Sequence, residues 1–357
     1  MIQRAFAAWR ALGGTFGAWL SPLAAAVAFV GLRLGLGVGR LLDPLFFPAL
    51  RVTRAERPVV LVGNPRSGTT FLHRWLDEHG VASGTPLWRL LWPSLTVQTL
   101  VRPLLPLLER VSPARHHAAA AHETSLVAPE TDDVSLLFRY FDGFFVYGFF
   151  LAWLPEDHID DFTRDTLDRD LAWWEGVWAR QIVATGHLRV VAKSFSLSTR
   201  LPAFLAKRPD AKVLYLLRDP VETVPSGLSL VSGVLDARYG FWRLPQPVRA
   251  RWVGRVSAGF IRLLQAFRDD WVAGRLLPAQ VRIVRYDRLM SDFEGEMREI
   301  CAFLDHPVDP TLAAAIAATA ASQRGRTSKH TYDLSRFGLD EATLRAETAF
   351  LADLTPR

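Results

Sequence analysis

Continuous apolar runs, rather than alternating ones, mark the strands of this chain. Residues 58–63 (Pro-Val-Val-Leu-Val-Gly) are apolar throughout and bounded by Pro and Gly. That is the pattern of a strand buried on both faces. Residues 189–193 and 212–217 are further short apolar strands, and 281–285 form another strand. Arg200–Lys207 reads as a helix joining the second and third of these, which makes a βαβ unit and so a parallel sheet. Residues 69–79 read as a helix after the first strand, with Ser67 or Thr69 available to cap it. Over 157–183, Ile159, Phe162, Leu167, Leu171, Trp174 and Trp178 recur at helical spacing. This stripe predicts an amphipathic helix facing a core. Residues 291–304 and 340–352 are further helices, and 322–338 form a polar, basic stretch.

The first 50 residues stand apart. Residues 11–32 carry no charge, which is long enough to cross a bilayer. Pro22 splits the run and its glycines loosen it. Arg4 and Arg10 precede it and Arg33 and Arg40 follow, so the charges set no orientation. A small-residue cleavage site is missing, which argues against a removed signal peptide. Two short apolar helices lying in one leaflet fit the pattern. The bland alternative is a helical hairpin packed on the protein's own core. The expected organisation is an apolar, membrane-associating helical leader over 1–50 and one domain over 51–357. The expected location is the cytoplasmic face of the inner membrane. Two later apolar stretches, 84–115 and 144–154, are too broken or too short to span. They suit a core or the wall of an apolar pocket.

Charge and cysteine content narrow the function. Lys and Arg outnumber Asp and Glu by 42 to 36, a net charge of +6. The excess is mild and forms no concentrated stripe, so a nucleic-acid partner is not expected. Cys301 is the only cysteine, which rules out an intramolecular disulfide or a thiolate cluster. The nine histidines have no zinc-like spacing, and no metal is expected.

Two stretches carry candidate chemistry. The first, Gly63-Asn-Pro-Arg-Ser-Gly-Thr-Thr70, follows the first strand and opens a helix. Its glycine spacing is that of the phosphate-binding loop G-x-x-x-x-G-K-[ST], but Thr69 stands where the lysine belongs. Backbone N–H groups at a helix start favour an anion. Arg66 adds a charged fork, and Ser67, Thr69 and Thr70 add hydroxyls. The second stretch ends a strand with Arg218, followed by Asp219-Pro220 as an N-cap and first helical residue. Ser226 lies about two turns further along. An arginine at a strand's carboxyl end and a serine on the next helix can share one phosphate. The fold class expected is α/β: a P-loop-like three-layer fold with a central parallel sheet flanked by helices, plus the N-terminal apolar helical segment.

Two anion sites on one sheet suit a nucleotide with phosphates at both ends of its ribose, and here the sequence resembles the sulfotransferase superfamily. The likeness is to the mostly bacterial branch whose loop reads P-R-S-G-T-T-x-L-H-R. It continues through Pro129-Glu-Thr-Asp-Asp133, Ala192-Lys-Ser194, Arg285-Tyr-Asp-Arg-Leu289 and His330-Thr-Tyr-Asp-Leu-Ser-Arg-Phe-Gly338. The resemblance implies a sulfotransferase domain, metal-free, with 3′-phosphoadenylyl sulfate (PAPS) as donor. It implies that Arg66, Ser67, Gly68, Thr69 and Thr70 grip the 5′-phosphosulfate, and that Arg218 and Ser226 grip the 3′-phosphate. Arg326, Ser328 and Lys329 lie in the late basic loop that closes over the nucleotide in this family. Lys193 would steady the bridging oxygen as the sulfuryl group leaves. Many relatives place a histidine four residues after that lysine; Leu197 stands there in this chain. Glu130 is therefore the first candidate for the base, followed by Glu123 and His122. Asp132 and Asp133 read as first-turn helix residues facing the dipole. The apolar 86–108 and 144–154 stretches suggest a hydrophobic or lipid-linked acceptor, with a glycan as the alternative. A P-loop kinase and a non-catalytic membrane-surface protein are the competing functions.

Overall fold

The computed structural model describes residues 1–112, 125–323 and 333–354. Five strands form its centre: Val59–Gly63 (β1), Ser83–Gly84 (β2), Val190–Lys193 (β3), Lys212–Leu217 (β4) and Val281–Arg285 (β5). They make one sheet in the order β2-β3-β1-β4-β5, with every pairing parallel. The helices around it include Ile2–Phe16 (α1), Leu20–Phe46 (α2), Thr69–Glu78 (α3), Asp133–Tyr140 (α4), Leu167–Thr185 (α5), Pro220–Tyr239 (α6) and Gln246–Val272 (α7).

The apolar runs are apolar because helices cover both faces of the sheet. Val60, Val62, Ala192 and Tyr215 pack with Trp174, Trp178 and Phe267 on one side. Val59, Leu61, Val191 and Leu214 pack with Leu72, Leu76, Met297 and Ile300 on the other. This is the expected three-layer α/β arrangement. β3 and β4 are parallel but not neighbours. β1 lies between them, pairing Val60 with both Ala192 and Val213. β2 has two residues, too few to leave a periodic signal. The amphipathic stripe over 157–183 is broken as well. Arg164 turns extended after a short helix, Ile159–Thr163, and α5 begins afresh.

The N-terminal segment differs from the expected pair of short helices. Pro22 does not split the run; it sits in the first turn of α2, where its missing N–H costs no helical bond. α2 is one helix of 27 residues, long and apolar enough to cross a membrane. Yet it contacts the body at Phe29 and again at Gly39 and Asp43. Phe29 packs against Phe138 with tilted rings whose centroids lie 5.7 Å apart. A Cβ on Gly39 would stand 2.5 Å from Val97, so the helix approaches the body closely there. Asp43 is fully buried and accepts from Arg180 Nε at 2.7 Å, with Ser94 Oγ and Thr96 N each at 2.9 Å. α1 is held by Arg4, whose Nε donates to Phe141 O at 2.9 Å. The opposite face of α2 remains bare: Leu20, Val27, Leu34, Leu41 and Leu45 are all exposed.

The two apolar stretches have separate fates. Phe144, Val146, Tyr147, Leu151 and Trp153 are core residues packed on α6 and α7. Leu87 and Trp88 form a small cluster with Leu126. α6 and α7 touch at Gly227, where a Cβ would lie 2.2 Å from the Phe260 ring. Overpacking at such a contact costs about 1–3 kcal/mol. Gly227→Ala should therefore lower the urea midpoint with an unchanged slope; an unchanged midpoint would contradict this close packing.

Candidate active site

The turn after β1 is shaped by two glycines that nothing larger can replace. Gly63 has φ 136°, and a Cβ there would lie 2.4 Å from Leu216 O. Gly68 has φ 94°, and a Cβ would lie 2.7 Å from the Tyr286 ring. Between them Arg66 adopts φ 73°, a left-handed conformation that costs a non-glycine residue free energy. Asn64 Nδ2 donates to Phe260 O at 3.2 Å and ties the turn to α7. Neither expected cap forms. Gly68 takes the N-cap position of α3, and Ser67 Oγ donates inward to Asn64 O at 2.7 Å. The first turn of α3 thus has no side-chain cap. Uncapped N–H groups at a helix start are what an oxyanion binds.

A cation reaches this turn from another strand. Lys193, the last residue of β3, extends its Nζ to Thr70 Oγ1 at 3.1 Å and to Glu130 Oε1 at 2.8 Å. Lys193 and Glu130 are both buried. The loop that lacks its own lysine at position 69 is therefore served by one from β3.

Asp132 is the N-cap of α4 and Asp133 lies in its first turn, as expected, but their carboxylates turn away from the helix's own N–H groups. They bind the end of β3. Asp132 Oδ2 accepts from Lys193 N at 2.9 Å, and its Oδ1 accepts from Trp178 Nε1 at 3.1 Å. Asp133 accepts from Ser194 Oγ at 2.9 Å and from Phe195 N at 2.7 Å. Thr131 Oγ1 and Asp132 N both donate to Lys193 O at 2.8 Å. Lys193 ends the strand and Phe195 lies beyond it, and their buried N–H groups take these carboxylates as partners. Burial pushes Asp132 up to about 7 and raises Asp133 as well.

The second cluster lies beside the first. Arg66 Nε donates to Ser226 Oγ at 2.8 Å, and Arg218 donates to Arg66 O at 3.1 Å. Arg66 thus joins Arg218 and Ser226, besides lying in the first loop. Asp219 caps α6 by accepting from Val221 N at 2.9 Å. Arg218 Nε also donates to Glu222 at 2.8 Å, and its guanidinium lies 4.1 Å from the Tyr286 ring centroid. Arg66, Gly68, Thr69, Thr70, Glu130, Lys193, Arg218 and Tyr286 line one cavity of about 300 Å³. That is within the range of small-molecule sites. Phe71, Phe145, Leu230 and Met290 give it an apolar side. The 86–108 stretch is not among its lining residues.

Glu123, His122, Arg326, Ser328 and Lys329 lie outside the described residues. Leu197, where many relatives carry histidine, is fully buried in the core. Phe145 comes from the 144–154 stretch expected to wall an apolar pocket, whereas Tyr286 and Glu222 were not singled out as site residues. Tyr286 had a signal: it follows β5 directly, at the carboxyl end of the sheet where open α/β folds bind ligands. Glu222 had one too, four residues after Arg218.

The family described as "Sulfotransferase family" matches residues 58–310. The omega-hydroxy-beta-dihydromenaquinone-9 sulfotransferase Stf3 of Mycobacterium bovis is 25% identical over 253 residues, and the Mycobacterium tuberculosis protein of the same name matches equally. The alignment takes in 69% of this chain but only 62% of those relatives' length. Among solved structures, sulfotransferase STF1 from Mycobacterium tuberculosis H37Rv gives a TM-score of 0.72 at 19% identity, covering 97% of this chain and 91% of that one. Sulfotransferase STF9 from Mycobacterium avium gives 0.66 at 18% identity, covering 88% and 81%. At these identities the solved structures speak for the fold.

One buried residue next to the site titrates abnormally. His73, on α3, is fully buried, with Nε2 3.0 Å from Val191 O as its donor contact. Burial, and then the Lys193 charge, push it down to about 3. The unfolded chain takes up this proton near 6.5, whereas the folded chain refuses it until about pH 3. His73 therefore contributes stability that is complete above the ordinary histidine range and is lost as pH falls. His73→Gln should lose less stability than wild type between neutral pH and about pH 4. Parallel pH profiles from urea titrations would contradict it.

Proposed function

Because the chain belongs to the sulfotransferase family, we propose that it transfers a sulfuryl group from PAPS to a hydroxyl or amine of a hydrophobic, lipid-linked acceptor. The observation that carries this reading is the Lys193 ammonium, 3.1 Å from Thr70 and 2.8 Å from Glu130. It sets a cation and a carboxylate side by side at an anion-binding turn. The cavity residues suit this donor. Thr69, Thr70 and the first turn of α3 face one phosphate position. Arg66 and Arg218 supply a second, with Ser226 bonded to Arg66 behind the cavity wall, and the Tyr286 ring offers an apolar face nearby. Tight binding of the 3′-phosphate requires Arg218 to share or exchange its Glu222 partner.

In the proposed reaction, Glu130 takes the proton of the acceptor hydroxyl as its oxygen forms a bond to sulfur. The sulfur–oxygen bond to the donor phosphate breaks, and adenosine 3′,5′-bisphosphate leaves with the electron pair. Lys193 is placed to stabilise the charge that gathers on the bridging oxygen. Asp132 and Asp133 act as positioning residues, since they fix the backbone on which Lys193 stands. Glu123 and His122 remain candidate bases. Arg326, Ser328 and Lys329 remain candidates for holding the nucleotide.

Two features support the acceptor class. The cavity has the apolar side formed by Phe145, Leu230 and Met290. The matched relatives are by name sulfotransferases of a hydroxylated dihydromenaquinone. The bare apolar face of α2 supports work at a membrane surface, which we assign to the cytoplasmic side where a nucleotide donor is available. Because α2 contacts the body at Phe29, Gly39 and Asp43, we read it as lying on the bilayer, not crossing it.

The test combines transfer and binding. With labelled PAPS and a lipid extract, wild type should label an acceptor without added divalent cation. Glu130→Gln keeps the hydrogen bond to Lys193 but removes the base. It should lower kcat by about a hundredfold or more, with nucleotide affinity changed only a few-fold. Arg218→Ala should weaken calorimetric binding of adenosine 3′,5′-bisphosphate by about tenfold or more. Folded protein that binds no nucleotide would sink the donor assignment. Full kcat in Glu130→Gln would remove Glu130 as the base.

A further inference from the structure

A second cavity, of about 320 Å³, lies between α2 and the body, apart from the donor site. Leu32, Leu36 and Leu41 of α2 line one part of it. Arg33, Arg40, Arg139 and Arg180 line it as well. Among the described residues, Asp43 is the one carboxylate paired with this group, through Arg180 at 2.7 Å. The Arg40 and Arg139 guanidiniums lie 4.2 Å and 5.1 Å from the centroid of one indole, Trp173. Burial, and then repulsion from Arg180, hold Arg40 down to about 9. Two donors are also unmet. Trp173 Nε1 and Arg139 Nε are buried with no hydrogen-bond partner among the described residues, and Trp173 is only 8% exposed.

Like charges this close repel, and a buried N–H without an acceptor costs free energy. An oxyanion relieves both, because guanidinium groups and an indole N–H are all donors. The surroundings say which oxyanion. Leu41 belongs to the cavity wall and also to the bare stripe of α2, with Leu34, Val38 and Leu45. A ligand that fills the cavity and follows this wall outward is anionic at one end and apolar at the other.

We propose that this cavity binds the phosphate headgroup of an anionic membrane lipid, whose acyl chains lie along the exposed face of α2. The site fixes how the protein sits on the bilayer and prefers anionic to neutral lipid. It rests on the membrane-surface part of the preceding reading, not on the transfer chemistry.

The experiment is co-flotation of the full chain with two kinds of vesicle: phosphatidylcholine alone, and phosphatidylcholine mixed with phosphatidylglycerol. Wild type should prefer the anionic vesicles by about tenfold. Arg139→Ala should abolish most of that preference. Trp173→Phe, which keeps the ring and removes the N–H, should reduce it several-fold. Arg262→Ala removes the same charge from an exposed position on α7 and should leave it within about twofold. Thermal unfolding checks that each variant is folded, and Trp173→Phe stands if Arg139→Ala is not. Equal losses in Arg139→Ala and Arg262→Ala would show attraction by net charge alone and overturn the site. So would a preference removed by inorganic phosphate at the same concentration as the lipid phosphate, which would mark a free-phosphate site. Equal flotation with both vesicles would overturn the site and leave the membrane reading standing. Flotation with neither would remove both.

Discussion

Two buried aspartates hold the end of β3, and the arrangement of the site follows from them. A parallel strand that stops inside a protein leaves N–H groups with no neighbouring strand to receive them. Asp132 and Asp133 receive those of Lys193, Phe195 and Ser196. Trp178 and Ser194 complete the shell of donors. Burying two carboxylates is costly, and the upward shift of both expresses that cost. In return the backbone at Lys193 has one position. Its side chain then lies against Thr70 and Glu130. Glu130 belongs to the same short segment as the aspartates. One stretch, Glu130 to Asp133, therefore fixes the cation and supplies the carboxylate beside it.

The substitution of Thr69 for a loop lysine takes its meaning from this arrangement. A lysine on the loop itself travels with the helix that follows it. A lysine on β3 comes from the neighbouring strand, across the sheet from the loop it serves. The positive charge stays, while its partner becomes a carboxylate able to accept a proton. The site gains a base beside its cation, which suits attack by a hydroxyl.

Much of this was legible in the chain because burial on both faces writes a strong signal. The apolar runs at 58–63, 189–193 and 212–217 gave three strands, the half-buried 281–285 gave a fourth, and two residues were too few to give β2. The loop, Arg218, Ser226 and Lys193 could be picked out by residue type and position. Their convergence could not, since it depends on β1 lying between β3 and β4. Asp132 and Asp133 were misread for a related reason. At a helix start, an acid that faces the dipole and an acid that reaches across to a strand look alike in sequence. The leader was misjudged at Pro22, because a proline fits the first turn of a helix, where its missing N–H costs no helical bond. The cavity beneath α2 left no local sign, as its arginines come from three separate helices.

The central claim is that the β1 turn and the Arg66–Ser226–Arg218 cluster hold the two ends of one nucleotide, with Lys193 and Glu130 at the reacting end. A crystal structure with adenosine 3′,5′-bisphosphate tests it most directly. The account predicts the 5′-phosphate on the N–H groups of the first turn of α3, within reach of Lys193, and the 3′-phosphate on Arg218 and Ser226. A nucleotide bound elsewhere, or one whose 3′-phosphate points into solvent while Arg218 stays on Glu222, would contradict it.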